Sequence, residues 1–195
     1  MYSDTLVIVM IVFIIIISYR IYLNSDYFQL KCIISSVDGE KYCVREQKML
    51  KSAANHLATV NNNMKEIVSH CKKKFSDQEN VTRLVKGFNP KTIVETLPTS
   101  KYTAYSENKG EKLAFCLNTQ KGGNKLIDIN TLTFVAIHEM SHIATKSIGH
   151  TPEFWDNFKF FLTEAEKLNI YTPIDYQKKP EQYCGMTISH NPYYD

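Results

Sequence analysis

Three of the six histidines lie close together in the segment from Val135 to Trp155, which reads VAIHEMSHIATKSIGHTPEFW. His138 and His142 are four residues apart, so on a helix they lie on the same face and their imidazoles can converge on one ion. Glu139 lies about 100° around that helix from His138, where its carboxylate can reach a water on the ion without binding the ion itself. The spacing therefore predicts two metal ligands and a general base.

A third ligand is available at His150. A catalytic zinc site holds its ion with three protein ligands and keeps a fourth position open. Gly149 can adopt the left-handed conformation that ends a helix and turns the chain, and Thr151 can cap a new helix directly afterwards. His150 is thus predicted to lie at a helix junction, where it completes a set of three zinc ligands with the HExxH pair.

These residues predict hydrolysis of a peptide bond by a metal-activated water. A zinc ion lowers the pKa of a bound water to about 7. Glu139 would accept the proton of that water and pass it to the leaving amine. The reaction also needs a donor for the developing oxyanion. The candidates for this donor lie near the C-terminus and are Tyr171, Tyr176, Tyr183 and His190.

Two helices are predicted to position the motif. The first can be capped by Asp128 or Asn130 and runs to about Ser147. The second runs from Pro152 to about Leu168, and its aromatic residues recur at helical spacing. Such an aromatic stripe is more often core than cofactor site, so we expect it to pack against the first helix and to hold the third ligand in position.

Upstream segments predict more helices and a small sheet. Apolar residues three and four apart between Val44 and Lys73 predict a long amphipathic helix, and a shorter helix is expected to end at Gly87. A turn at Glu107–Gly110 predicts a β-hairpin of Tyr102–Ser106 with Lys112–Leu117. The expected fold class is therefore α+β, with a small antiparallel sheet beside the HExxH helix.

The N-terminal segment is apolar enough to cross a membrane. Leu6 to Ile17 is an uninterrupted apolar run, and the segment from Thr5 to Leu23 reaches the length that spans a bilayer. A cleaved signal peptide is the alternative, but Asp4 precedes the run and no small-residue cleavage site follows it. We therefore expect a retained single-pass anchor. The positive charge of Arg20 and Lys31 after the span favours a cytosolic main domain.

Charge and cysteine content narrow the partners and the compartment. A net charge of +3 is too small to indicate a nucleic-acid partner. The five cysteines are an odd number, widely spaced and without a CxxC pair, which argues against a disulfide framework and against a cysteine zinc site. Cys71 and Cys116 are expected to be small core residues. Cys32 and Cys43 would pair only in an oxidising compartment, and unpaired cysteines agree with a cytosolic domain.

The motif and its surroundings resemble a known family. HEMSHIATKSIGHTPEFW is similar to the HExxH…HxxxFW signature of the WLM and SprT-like zinc metallopeptidases, over roughly residues 85–165. The wider pattern of TAYSENKGEKLAFCL, INTLTFVAIHEMSH, GHTPEFW and YCGM resembles the membrane-anchored members found in large DNA viruses. One departure is that seven residues, Ile143 to Gly149, separate the second and third histidines, where the family usually has five.

The resemblance implies a compact zincin-like domain and zinc-dependent peptidase activity. It implies the same roles that the spacing predicts, with His138, His142 and His150 as ligands of Zn²⁺ and Glu139 as the catalytic acid and base. Family members that act on DNA–protein crosslinks carry nucleic-acid or partner-binding tails. This chain has an apolar span instead, so we do not expect that substrate.

The expected organisation has four segments. They are a transmembrane anchor at 1–23, a linker and helical region at 24–87, the zincin-like metallopeptidase core at 88–170 and an extended Tyr-rich tail at 171–195. The expected function is a membrane-anchored zinc metalloendopeptidase acting on protein or peptide substrates near the membrane. The alternative is a structural membrane or virion protein, such as a minor capsid protein among viral capsid or membrane partners. In that protein the zinc ion would only stabilise the fold. His190 as a fourth ligand would make such a site, because no coordination position would remain open.

Overall fold

The computed structural model describes the backbone of residues 2–195 and the side chains of residues 4–25 and 28–195. The helices are α1 (Tyr2–Asn24), α2 (Asp26–Gln29), α3 (Leu50–Lys74), α4 (Glu79–Gly87), α5 (Ile129–Ala144) and α6 (Pro152–Lys167), with a 3₁₀ helix at Pro192–Tyr194. The strands are β1 (Leu30–Ile34), β2 (Lys41–Arg45), β3 (Ile93–Glu95), β4 (Ala104–Glu107), β5 (Lys112–Phe115), β6 (Glu181–Tyr183) and β7 (Met186–Ile188). The fold class is α+β, as predicted.

The first helix, α1, is the apolar segment expected as a membrane span. Within Asp4–Asn24, its most apolar stretch of 18 residues has a mean hydropathy of 2.7 and is not buried against the rest of the protein. A helix of this length and composition is able to cross a bilayer, and an N-terminal signal sequence has the same properties. The described residues therefore include one apolar N-terminal helix that fits either an anchor or a signal sequence.

The main sheet is larger than predicted and of mixed direction. Its strand order is β1-β2-β3-β5-β4. The β1–β2 and β4–β5 pairs are antiparallel, whereas β3 runs parallel to both β2 and β5. The prediction of an antiparallel sheet is thus correct at the two edges and wrong in the centre. The chain crosses from β2 to β3 through α3 and α4, and a long crossover connection is what joins parallel strands.

The region 24–87, predicted as a linker with helices, contributes to the same core as the motif. It supplies β1 and β2 to the main sheet, and α3 buries Leu57, Val60, Met64 and Ile67 in the common core. The long helix begins at Leu50 and not near Val44, because residues 41–45 form β2. This part of the chain therefore supports the motif directly.

The C-terminal segment 171–195 folds back on the domain and is not extended throughout. Its strands β6 and β7 pair as an antiparallel hairpin. Tyr171, Tyr176 and Tyr183 are buried in the core. These rings supply the apolar surface that holds the segment against the domain.

Four of the five cysteines are paired. One disulfide joins Cys32 to Cys43 on neighbouring strands, and a second joins Cys116 to Cys184. Cys71 is a buried free thiol, as predicted. The expectations of no disulfide framework and of Cys116 as an unpaired core residue are wrong, because spacing along the chain does not reveal pairs that tertiary folding brings together. The pairing also removes the cysteine argument for a cytosolic domain.

Candidate metal centre

The HExxH helix, α5, is fixed at its start and buried along its length. The Asp128 side chain accepts a hydrogen bond from the Thr131 N–H at 2.9 Å, so Asp128 is the cap of the two that were predicted. Twelve of the helix's 16 residues are buried. The helix ends at Ala144, earlier than predicted, because Thr145 has extended backbone angles. A buried helix of this kind gives its histidines a fixed direction.

The three predicted ligands meet at one point. The Nε2 atom of His138 lies 3.2 Å from Nε2 of His142 and 3.1 Å from Nε2 of His150. One ring nitrogen from each of the three lies within 4.8 Å of the others. Tetrahedral nitrogen ligands at about 2.05 Å from a zinc ion would lie about 3.3 Å apart. The cluster therefore has the size and the donor set that fit a metal ion, zinc in particular.

His150 reaches the cluster from a loop between two helices. Gly149 before it has a φ of +87°, the left-handed conformation predicted for this position. Thr151 is the N-cap of α6, and Pro152 is in the helix's first turn. The helix junction predicted for His150 is therefore present, although α5 stops earlier than expected.

Burial keeps the two α5 histidines neutral in the metal-free protein. Burial, with smaller contributions from the neighbouring His142 and His150, lowers the pKa of His138 to about 3. Burial, with smaller contributions from His150 and Lys109, lowers the pKa of His142 to about 4. Both imidazoles are unprotonated at neutral pH, which is the state in which a histidine binds a metal.

Phe154 contacts all three histidine rings. Its ring centroid lies 4.9 Å from that of His138, 4.4 Å from that of His142 and 4.6 Å from that of His150. The side chain is fully buried, and the next aromatic residue on this face, Phe158, also contacts His138. The aromatic stripe of α6 is thus core, as predicted, and at the same time it packs directly against every candidate ligand.

Glu139 lies beside the cluster and on its buried side. Its side chain is 5% exposed, and its carboxylate accepts a hydrogen bond from the backbone N–H of Ser106 on β4. Burial raises the pKa of Glu139 and the Ser106 bond lowers it, and the net result is a pKa of about 8. A carboxyl group whose pKa is close to neutral can both accept and donate a proton during a reaction.

Two cavities open on either side of the histidines. One has a volume of about 690 Å³ and runs along residues 102 and 104–109, with Glu139 and all three histidines in its wall. The other has a volume of about 360 Å³ and contacts His138, Glu139 and His150. Its apolar wall consists of Phe134, Val135, Trp155, Phe158, Tyr183, Met186 and Ile188.

The strand β4 presents an unpaired edge to the first cavity. It is the last strand of the main sheet. The Cys116 N–H donates to the Thr103 carbonyl, so the backbone N–H and C=O groups of Thr103 and Tyr105 point towards β5. These groups alternate in direction along a strand of an antiparallel pair, so those of Ala104 and Ser106 point away from β5. The Ser106 N–H bond to Glu139 agrees with that direction.

The four candidates for the oxyanion donor separate into two groups. Tyr171 and Tyr176 pack on Phe134 in the core. Tyr183 and His190 line the apolar cavity, but the Tyr183 hydroxyl already donates to the Thr103 carbonyl at 3.2 Å. His190 lies 3.2 Å from an Asp195 carboxylate oxygen and does not belong to the three-histidine group. The position of His190 therefore does not close the cluster.

Two residues at the site carry no signal of their role in the sequence. Ser106 and Lys109 belong to the predicted hairpin, and their side-chain types are ordinary for a strand and a turn. Their bonds to Glu139 and to the end of α5 depend on how the hairpin packs against the helix. The only indication available was the expectation that the sheet lies beside the HExxH helix.

The chain is similar to proteins of several viruses. It is 29% identical over 161 residues to an uncharacterized protein of Acanthamoeba polyphaga mimivirus, which covers 80% of this chain and 81% of that protein. An uncharacterized protein of Invertebrate iridescent virus 6 is 32% identical over 84 residues, 42% of this chain and 44% of that protein. One of Invertebrate iridescent virus 3 is 31% identical over 101 residues, 51% and 57% of the two chains.

Similarity to known families and solved structures is weaker. No protein-family model matches the chain. Among solved structures, Wss1 from Saccharomyces cerevisiae superposes with a TM-score of 0.45 at 16% identity, over 65% of this chain and 87% of that one. The chain is thus similar to proteins of a mimivirus and of two iridescent viruses, and its membership of the family that its motif resembles stays a prediction.

Proposed function

We propose that the protein is a zinc-dependent peptidase in which His138, His142 and His150 hold the ion and Glu139 moves the proton. The observation that carries this proposal is the convergence of three ring nitrogens beside a buried carboxyl group. Three protein ligands leave a coordination position open, as a catalytic site requires. Among the described side chains, those of residues 4–25 and 28–195, no further His, Cys, Asp or Glu joins the converging group. That composition favours catalysis over a purely structural site.

The proton transfer follows from the place of Glu139. A bound zinc ion supplies the Lewis acidity that activates water and polarises a carbonyl group. Glu139 accepts a proton from the attacking water at its carboxylate and then donates that proton to the amine that leaves. The Ser106 N–H holds the carboxylate on the β4 side, and burial gives the carboxyl its high proton affinity. Both steps use groups that are already in place.

The proposed substrate is a peptide in an extended conformation. The backbone N–H and C=O groups of Ala104 point away from β5, so they can form hydrogen bonds with a peptide added as a further strand beside β4. Hydrogen bonds between main chains hold such a peptide whatever its sequence. The apolar cavity beyond His138 suits an apolar side chain of such a peptide. His190, whose side chain is half-buried and lines the same cavity, is the remaining candidate among the four for a donor to the oxyanion.

We also propose that α1 is retained as an anchor and that the peptidase acts beside the membrane. Two observations bear on the side. Arg20 near the end of α1 and Lys31 beyond it favour the cytosol, whereas two disulfides favour an oxidising compartment. The disulfides carry more weight, because charge bias governs short loops and a large domain is translocated largely regardless of it. We therefore place the domain on the oxidising side.

Zinc content and hydrolysis test the proposal in sequence. We would purify the full chain in detergent, as the wild type and as His150→Ala, His190→Ala and Glu139→Gln. Zinc is expected at one ion per chain in the wild type, in His190→Ala and in Glu139→Gln, and it is expected to be lost in His150→Ala. Hydrolysis of an unstructured protein is expected to fall by about 10²- to 10⁴-fold in Glu139→Gln.

Three outcomes would contradict the proposal in whole or in part. A wild type without zinc would show that the cluster is a packed set of histidines and not a metal site. Loss of zinc in His190→Ala would show a closed four-ligand site and would favour the structural alternative. Hydrolysis that persists in Glu139→Gln would keep the metal site and would remove Glu139 from the chemistry.

A further inference from the structure

The third histidine is carried by a segment without regular secondary structure. Residues 145–151 join α5 to α6, and Ile148 at the tip is 91% exposed. A flexible segment loses conformational entropy when it is fixed, and that loss weakens binding of a ligand held by it. Contacts from outside the segment must therefore keep His150 near the pair on α5.

The Lys109 ammonium group supplies three of these contacts. Its Nζ atom donates to the carbonyl oxygens of His142 at 3.0 Å, Thr145 at 2.7 Å and Ser147 at 3.0 Å. A lysine ammonium has three N–H donors, so each donor has one carbonyl. The last carbonyls of a helix have no partner within it, and a cation is favourable at that end. A single side chain thus joins a candidate ligand on α5 to the segment that carries the third.

The position of Lys109 is itself tightly fixed. It lies in the turn between β4 and β5 with a φ of 56°. The next residue, Gly110, approaches α4 so closely that an added Cβ would lie 2.5 Å from the Gly87 carbonyl oxygen. The reverse holds as well, because a Cβ on Gly87 would lie 2.4 Å from the Lys109 carbonyl oxygen. The turn therefore has little room to shift, and the ammonium group is held in place from behind.

A second cation holds the same segment from α4. The Nε atom of Arg83 donates to the Ala144 carbonyl at 2.6 Å, and its Nη2 atom lies 2.8 Å from a Glu153 carboxylate oxygen. Glu153 in turn accepts from the Lys146 N–H at 3.2 Å. Arg83 therefore supports the start of the segment, while Lys109 spans from α5 to its middle.

We propose that Lys109 is a positioning residue that sets the affinity of the three-histidine site for its metal ion, by tying the His150 segment to α5. This inference rests on the proposed function, since it takes the cluster to be a metal site. The geometry favours Lys109 over Arg83 for this task, because only Lys109 bonds both to a candidate ligand residue and to the segment leading to His150.

The charge of Lys109 makes the proposal easy to test. That charge is close enough to His142 to disfavour a second positive charge there, so by electrostatics alone Lys109 opposes a bound cation. Removing the charge would then tighten zinc binding. Removing the three bonds would loosen the segment and weaken zinc binding. The two effects have opposite signs, and the measured sign identifies the larger one.

The experiment measures zinc affinity by competition with a chromogenic chelator, on the full chain in detergent. The variants are Lys109→Met, which keeps the side-chain length, and Lys109→Arg, which keeps the charge but cannot place one donor group on all three carbonyls. Lys146→Met is the matched control, because it removes a lysine of the same segment whose backbone N–H makes the bond to Glu153. Hydrogen exchange of residues 145–151 is measured in the zinc-free proteins.

Lys109→Met is expected to weaken zinc binding by about 10- to 100-fold, the usual range for groups that orient metal ligands. Lys109→Arg is expected to weaken it by less, and Lys146→Met to leave it unchanged or slightly tighter. Exchange of the segment is expected to increase in Lys109→Met without zinc. Unchanged or tighter binding in a folded Lys109→Met protein would overturn the inference and leave the metal site standing. A wild type that binds no zinc would overturn both.

Discussion

Two segments form walls of the cavities beside the histidines, and different kinds of interaction hold these two walls in place. On one side, residues 145–151 carry His150 and are held by hydrogen bonds with Lys109, Glu153 and Asn157. On the other side, the β6–β7 hairpin forms part of the wall of the apolar cavity, and the Cys116–Cys184 disulfide links it to the end of β5. Hydrogen bonds are directional and set local geometry, whereas a disulfide stabilises mainly by restricting the unfolded chain. Metal affinity and fold stability should therefore be separable.

The hairpin wall also has contacts that would remain without its disulfide. The Cys184 N–H donates to the Asn118 carbonyl and the Gly185 N–H to the Thr119 carbonyl, both at 2.9 Å. Tyr183 is buried beside them. The hairpin would thus keep its place in the folded state, and the loss of the covalent bond should appear as lower stability.

The largest effect on stability is expected from removing the Cys116–Cys184 disulfide. The double substitution Cys116→Ala with Cys184→Ala removes a disulfide between residues 68 positions apart in sequence. Chain entropy alone then predicts a loss of about 4 kcal/mol in the free energy of unfolding. Zinc affinity is expected to stay unchanged. Urea denaturation without reductant measures the first quantity, and chelator competition measures the second.

The other disulfide provides the control. Cys32 and Cys43 are only 11 residues apart in sequence, so the same reasoning predicts a smaller loss, about 3 kcal/mol. A fall in zinc affinity in the Cys116–Cys184 variant would contradict the proposed separation of the two walls.

A smaller loss of stability, this time together with weaker zinc binding, is expected from a change beside the segment that carries His150. The Asn157 side chain donates to the Thr145 hydroxyl and accepts from the Asn80 amide, both at 2.9 Å. Asn157→Ala removes both bonds in a mostly buried place, which should lower the free energy of unfolding by about 2 kcal/mol. It should also weaken zinc binding, because Thr145 begins the segment that carries His150.

Asn130→Ala is a matched control for this change. The Asn130 amide also makes two bonds to another part of the chain, one to the Thr172 carbonyl and one from its N–H. Those bonds join α5 to the C-terminal segment, away from residues 145–151. Asn130→Ala is expected to lower stability without a change in zinc affinity. Equal zinc affinities in Asn157→Ala and Asn130→Ala would contradict a specific role of the Thr145 contact in metal binding.

The last effect is a dependence on pH, in the zinc-free protein. His138 and His142 have folded pKa values of about 3 and about 4, below their ordinary value of 6.5. Below pH 6.5 the unfolded chain therefore binds protons that the folded protein does not, and stability falls as the pH drops. Glu139 has a folded pKa of about 8, above its ordinary value of 4.5. It lowers stability as the pH rises from 4.5 to 8.

Glu139→Gln isolates the contribution of the Glu139 carboxyl to the pH dependence of stability. Each proton of difference changes the free energy of unfolding by about 1.4 kcal/mol per pH unit, so the wild type should lose stability relative to Glu139→Gln between pH 5 and pH 8. Urea midpoints of the zinc-free proteins across this range provide the measurement. A constant difference between the two proteins would show that the Glu139 carboxyl is not buried as described.

The sequence predicted the features that depend on neighbouring residues. The HExxH spacing placed two histidines on one face, and Gly149 and Thr151 indicated the turn that brings His150 to them; the structure has all three together. Asp128 is one of two predicted caps. Each of these signals spans a few residues, within which helical geometry is regular.

Features that depend on distant residues were missed. Cys184 meets Cys116 only because the C-terminal segment folds back over the end of β5. The central strand β3 has three residues, too few for a periodic pattern, so its parallel pairing could not be predicted. The Lys109 bonds require the β4–β5 turn to lie at the end of α5. In each case the contact is set by tertiary packing, which no local pattern encodes.

The pairing of the cysteines leaves a single sulfhydryl, Cys71, buried in the core. A chain unfolded in denaturant would then react with one equivalent of an alkylating reagent if both disulfides are present, and with five if all the cysteines are reduced. Alkylation at the moment of cell lysis would preserve that difference as a shift in mass. The chain thus carries a record of the compartment in which it folded, readable by mass spectrometry without separating membranes.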